Sequence, residues 1–332
     1  MRIQEQRQLH PVGDEVLALT AVIRPMLKGV LYAIKADVVR EVGGYENVKL
    51  MMLPRLHRPG DGDCGICFEY AVHDAVSRND AHVLERVEDA ARICRLPGTQ
   101  LRSILFGVEK SGAQQLVDTA NAVLTDDSQL LQGTPGRPVK LRRYLNVLAA
   151  AFRKPQTRPA LPFSIRGLWK ADLFLGHSDS DRWLGTTVKI NPSHLETAAG
   201  LRIGIVPTRQ GRSDRVYHDE AKNLVVCPLL HDADFMQIFY EGFRVIQAFL
   251  AADAHVPPEI DLPRPADREV ARILEERRDF KVLEVIDAIA KFGQPELLET
   301  SEREAEAQAL MGNPQTDLVV APISKQPDLF SR

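Results

Sequence analysis

"GTTVKIN", residues 185–191, sets the fold reading. Thr186, Thr187, Val188 and Ile190 are β-branched, and such residues favour the pleated, half-buried surface of a strand. Lys189 is a lone charge inside that run. With Trp183 and Leu184 the pattern predicts a strand over 183–190, broken by Asn191-Pro192-Ser193, with Ser193 capping a short helix over "HLETAAG". Upstream, "FSIRGLWKADLFLG", 163–176, is rich in strand formers, and "HSDSDR" reads as the turn between the two strands. Downstream, "LRIGIVP", 201–207, is a continuous apolar strand of the buried kind, and "LVVCPLL", 224–230, follows as another. Residues 232–252 form a strongly amphipathic helix. The middle of the chain therefore predicts an α/β core, a mixed sheet flanked by helices.

The flanks are helical. Residues 14–42 carry apolar positions at spacings of three and four, interrupted at Pro25. "CGICFEYAVHDAVSR", 64–78, reads as a helix after the loop 58–63, and "AHVLERVEDAARICR" as another, closed by Pro97 and Gly98. Residues 113–125 and 139–153 also read as helical. Residues 266–292 form one or two charged helices, with another over 294–309. The expected organisation is a mostly helical part, 1–160, that lends the core helix 64–78 and a basic segment; an α/β core, 161–255; a charged helical extension, 256–311; and a flexible tail, 312–332.

Composition limits the class. Of 332 residues, 44% are apolar and 26% charged, ordinary for a globular protein, and the formal charge of −3 makes any nucleic-acid surface local. The polar N-terminal stretch and the absence of a long apolar run lead to an expected cytoplasmic protein with no membrane partner. Cys64 and Cys67 form one CxxC without a second ligand pair, so packed thiols are expected rather than a zinc site. "FGVEKSG", 106–112, lacks the spacing of a phosphate loop.

Charge is concentrated in one window. Between Asp127 and Asp172 there is no Asp or Glu, while nine bases occur: Arg137, Lys140, Arg142, Arg143, Arg153, Lys154, Arg158, Arg166 and Lys170. Such a surface attracts a phosphate backbone by Coulomb attraction and counterion release. A solvated face paired with acids elsewhere in the chain is the alternative. The window runs directly into Asp172, in "KADLFLG".

Asp172 and Lys189 lie seventeen residues apart on two strands joined by a short turn, so their side chains can meet at one end of the sheet. A carboxylate and a lysine suit phosphodiester hydrolysis, in which a carboxylate holds Mg²⁺ and a lysine stabilises developing negative charge. Asp179 and Asp181 are assigned to turn geometry, Asp61 and Asp63 to loop or cap roles, and His194 to an accessory place beside Glu196.

The order of these features, a helix with Glu69, then Asp172, then a strand ending in x-x-Lys189, then a helix and an apolar strand, resembles the PD-(D/E)xK superfamily over about residues 60–250. That resemblance implies a restriction-endonuclease-like core and a metal-dependent DNA nuclease with Mg²⁺ or Mn²⁺. Asp172 matches the metal-binding aspartate, Lys189 the catalytic lysine and Glu69 the helix glutamate. Thr187 departs from the pattern, standing where the second acid belongs. Some members recruit an acid from the following helix, and Glu196 is placed for that, with an exposed helix glutamate as the alternative. Defence against foreign DNA or DNA repair would follow by analogy. The alternatives are an inactive DNA- or replisome-binding protein, or the nuclease subunit of a defence complex activated by an ATPase or sensor. Finally, "SKQPDLFSR" contains Gln326, Leu329 and Phe330 as Q-x-x-L-F, which resembles a bacterial sliding-clamp-binding peptide.

Overall fold

The computed structural model describes residues 13–57, 63–106, 113–132, 138–208, 215–230 and 234–290. Arg137, the expected helix 294–309 and the Gln326, Leu329, Phe330 motif lie outside them. In chain order the elements are α1 (Asp14–Ala33), α2 (Asp63–Ser77), α3 (Ala81–Ile93), β1 (Leu101–Leu105), α4 (Ala113–Val123), β2 (Gln129–Leu130), β3 (Val139–Lys140) and α5 (Leu141–Arg153). There follow β4 (Leu173–His177), β5 (Arg182–Val188), β6 (Leu201–Pro207), β7 (Tyr217–Asp219), β8 (Leu224–Leu229), α6 (Asp234–Ala251), α7 (Pro265–Glu275) and α8 (Val282–Ala290).

The strands form one mixed sheet in the order β1-β4-β5-β6-β8-β7, with β2 and β3 attached beside the start of β5. The β1–β4 and β4–β5 pairs are antiparallel, β5–β6 and β6–β8 parallel, and β8–β7 antiparallel. The central strands are buried on both faces, as parallel pairing requires. Along β4, Leu173 and Leu175 enter a large core shared with α1, α2, α3, α6, α7 and α8, whereas Phe174 enters a smaller one with α4 and α5. The architecture is thus α/β, a mixed sheet between helical layers of unequal size.

Local chemistry explains the elements and the departures from expectation. In α3 the Asp80 carboxylate caps the helix, accepting from the His82 and Val83 N–H groups at 3.1 and 3.3 Å. The expected break at Pro25 does not occur: α1 runs through it. A mid-helix proline costs about 3 kcal/mol. Here Pro25 is itself buried, and α1 packs against α2, α6, α7 and α8, so burial outweighs the lost hydrogen bond. An 18-residue window of α1 has mean hydropathy 1.5, apolar enough to cross a membrane, but 72% of it is buried inside the protein.

Residues 163–170 are not strand but a run of 3₁₀ turns, Phe163–Lys170. The buried apolar side chains Ile165, Leu168 and Ala171 are spaced by three, which matches the three-residue 3₁₀ repeat better than strand alternation. "HLETAAG" is not a helix either. Only Pro192–His194 turns, and the cap is Asn191, whose side-chain oxygen accepts from the Ser193 N–H at 3.0 Å. Gly200 at φ +99° then feeds the chain into β6. Strands β1, β2, β3 and β7 carry no clear strand pattern in the sequence, being short or lying at the edges of the sheet.

The close approach at Gly185 is tight. A Cβ there would lie 2.5 Å from Leu168 Cδ2 and 2.7 Å from the Gly200 carbonyl oxygen, and the latter is backbone that cannot step aside. Gly185→Ala is expected to destabilise the protein by about 1–3 kcal/mol, read as a fall in the urea midpoint. An unchanged midpoint would show that the β5–β6 crossover is not packed this tightly.

Candidate active site

The sheet has one end where β4 begins and β5 finishes. The backbone holds both candidate residues there. The Asp172 N–H donates to the Thr186 carbonyl at 2.9 Å, and the Asp172 carbonyl accepts from the Phe106 N–H at 2.7 Å. The Lys189 N–H donates to the Ile205 carbonyl at 2.9 Å. Both residues therefore extend the strand ladders by one step, and neither lies on a free loop.

Their side chains meet. Lys189 Nζ donates to Asp172 Oδ2 at 2.7 Å. The same oxygen accepts from Thr187 Oγ1 at 2.9 Å and from the Val188 N–H at 2.8 Å. Three donors converge on one carboxylate oxygen, which fixes the Asp172 rotamer. Glu69 reaches in from α2, its Oε1 3.7 Å from Lys189 Nζ. The Asp172 and Glu69 side chains are only 12% and 13% exposed, so their charges are poorly screened.

The electrostatics follow from that crowding. Burial, then the neighbouring Asp172 charge, pushes the Glu69 carboxyl well above the ordinary range, and Lys189 offsets this only in part. Burial alone would lower the Lys189 ammonium, but Asp172 and Glu69 overcome it and hold the group above its usual value, so it stays charged at neutral pH. One turn along α2 from Glu69, burial draws His73 down to about 4. Its neutral ring shares a 3.0 Å hydrogen bond between Nδ1 and Ser103 Oγ.

The other candidates lie further out. Glu196 is exposed and ion-paired with Lys170, and the hydrogen bond and charge of that lysine lower its carboxyl, with a smaller contribution from Lys189. It sits beyond a 3₁₀ turn, not on a helix. His194 is exposed in that turn. Asp181 accepts from Thr125 Oγ1 and Ser128 Oγ, and from Trp183 Nε1 at 3.2 Å, while Asp179 accepts from Thr99 N–H and Oγ1, both at 3.0 Å. Asp63 lies 3.3 Å from His57 Nε2. Cys67 is buried and Cys64 partly so, both free, and burial pushes the Cys64 thiol up to about 11. Among the described residues no three His, Cys, Asp or Glu side chains gather into a ready-made metal cage.

Within the basic window, Lys140 pairs with Asp127 at 3.1 Å and Arg142 with Asp126 at 3.2 Å. These acids flank the window in sequence, so part of its charge is neutralised locally. Arg143, Arg153, Lys154 and Arg166 are exposed, and among the described residues no carboxylate forms an ion pair with them.

What the sequence could not supply was the role of Thr187 and the Val188 N–H as donors to Asp172. The signal was present in the strand register, because Leu173 faces Thr186 and the next pair outward is Asp172 with Thr187.

The raised Glu69 carboxyl has a thermodynamic signature. The folded state binds more protons than the unfolded one above the ordinary glutamate range, so this group's contribution to stability falls as pH rises from about 4.5 towards its folded value. Glu69→Gln removes that penalty. The melting temperature of the variant relative to wild type is expected to rise between pH 4.5 and pH 8. A difference independent of pH would refute the shift.

Comparison of the chain with protein family models, with curated proteins and with solved structures finds no match in any of the three.

Proposed function

We propose that the protein is a metal-dependent DNA nuclease with a restriction-endonuclease-like core. The observation that carries this reading is the convergence of Asp172, Lys189 and Glu69 at one sheet end, directly after a window rich in bases and free of acids. The antiparallel β4–β5 pair and the helix glutamate agree with the resemblance. Thr187 and the 3₁₀ turn where a helix was expected are departures from it.

The donor set fits a hard divalent cation. Mg²⁺ characteristically takes one or two carboxylates and keeps several waters, and Asp172 with Glu69 offers two oxygen-bearing groups. When bound there, Mg²⁺ or Mn²⁺ would supply Lewis-acid polarisation of a phosphate oxygen and a more acidic water. The chain itself contributes position and charge. Thr187 and the Val188 N–H donate to Asp172 Oδ2 and hold the carboxylate in place. Lys189 remains an ammonium and stabilises negative charge growing on a phosphate. Burial and the Asp172 charge raise the Glu69 carboxyl, so a cation bound there would compete with a proton. Exposed Arg143, Arg153, Lys154 and Arg166 bind the phosphate backbone. Recruitment to a sliding clamp through Gln326, Leu329 and Phe330 and a role in defence or repair, including activation by an ATPase or sensor subunit, extend this proposal and rest on sequence alone.

A second reading, a DNA binder that does not cleave, is favoured by Thr187, a neutral hydroxyl where an acid would complete the cation site. Plasmid, linear duplex and single-stranded DNA incubated with Mg²⁺ or Mn²⁺ separate the two. Wild type is expected to cleave, and Lys189→Ala and Asp172→Asn to lose about 100-fold or more. Binding without cleavage of any form by wild type would favour the second reading. Thr187→Asp adds a carboxylate beside Asp172. It is expected to lower the melting temperature without metal and to increase the upward shift produced by Mg²⁺. Equal Mg²⁺ shifts in variant and wild type would argue against a cation site here.

A further inference from the structure

Phe163 is the most exposed large apolar side chain among the described residues, at 81%, against 56% for the next, Phe280. It opens the 3₁₀ segment Phe163–Lys170 that ends two residues before Asp172. That segment is anchored from beneath by Ile165 and Leu168, and by Gly167, where a Cβ would lie 2.5 Å from the Ala199 nitrogen. An exposed aromatic ring is therefore presented on a rigid support.

Cations lie on the same stretch of chain. The Arg166 guanidinium lies 5.8 Å from the Phe163 ring centre. Nearby in the same segment, Arg158 covers the Trp169 ring at 3.4 Å and Lys170 approaches it at 5.4 Å. Arg153 and Lys154 stand exposed at the end of α5, just before the turn that carries Arg158. Glu196, on Lys170, is the carboxylate paired to this group among the described residues. Trp169 already has a planar partner in Arg158, whereas Phe163 presents its ring to solvent.

We propose that Phe163 is a stacking platform for an unpaired nucleobase, and that Arg153, Lys154, Arg158 and Arg166 hold the phosphates of that single strand on its way to Asp172 and Lys189. Aromatic rings interleaved with cations are how single strands are gripped without reading sequence, because every base has a π-face. A duplex hides those faces in its own stack and would gain only from the cations. The inference rests on the nuclease reading for its destination, and names the strand form which that site receives.

The test is fluorescence anisotropy on the full chain in EDTA, so that no cleavage occurs, with labelled oligothymidylate and a blunt duplex as probes. Phe163→Ala is expected to weaken oligothymidylate binding by roughly 5- to 150-fold and the duplex by less than about twofold. Phe163→Trp is expected to restore single-strand binding. Equal losses on both probes, or no loss on either, would overturn the platform. So would displacement of the oligonucleotide by poly-glutamate as effective as that by unlabelled oligonucleotide, which would assign the patch to an acidic protein partner. The two readings fail separately. Phe163-dependent single-strand binding by a protein that cleaves nothing overturns the nuclease and keeps the platform. Cleavage that is unaltered in Phe163→Ala, with unaltered binding, overturns the platform alone.

Discussion

The constraint around which the site is built is the ion pair between Lys189 and Asp172, held at a sheet end by strand ladders. A partly buried pair of this kind is stable only when the remaining hydrogen-bonding capacity is used. Here Thr187 and the Val188 N–H complete the coordination of Asp172 Oδ2. The pair orders the side chains on both strands. It also sets the state of Glu69, because that carboxyl sits beside one acid and one base and is buried with both.

Seen this way, Thr187 is not simply a missing acid. A carboxylate opposite Asp172 would place two negative charges together against one ammonium. A hydroxyl donates instead, so the cluster can be nearly neutral when empty, with Lys189 charged and Glu69 tending towards protonation. On the proposed metal-dependent reading, a cation would enter such a site at the expense of a proton. The same logic makes Glu196 a poor substitute in this arrangement, since Lys170 already engages it at the surface.

Much of the framework was legible. Continuous apolar runs at 201–207 and 224–229, rich in β-branched residues, read as strands buried on both faces, and the 3.6-residue pattern of 234–251 reads as a helix on them. The failures have physical causes. Strand composition in 163–170 masked a spacing of three at Ile165, Leu168 and Ala171. Local propensity alone marks Pro25 as a helix break, and the packing of α1 overrides it. Strand β1 lies at the sheet edge and carries little periodicity, with Arg102 exposed between buried Leu101 and half-buried Ser103.

The sequence by itself determined the α/β class, the helices that cover the sheet, the basic window and the nearness of Asp172 to Lys189, because strand period and a short turn leave adjacent antiparallel strands little freedom. Only the tertiary structure decided which second carboxylate belongs with them. Glu69 is 103 residues from Asp172 in the chain, and its place depends on how α2 lies against the sheet. That docking is set by the large core, by Phe68, Ala71 and Val72 packing with α1, α6 and the sheet, and it turns Glu69 inward. No local pattern encodes such a contact, since it is the sum of many weak apolar contacts between segments far apart in sequence.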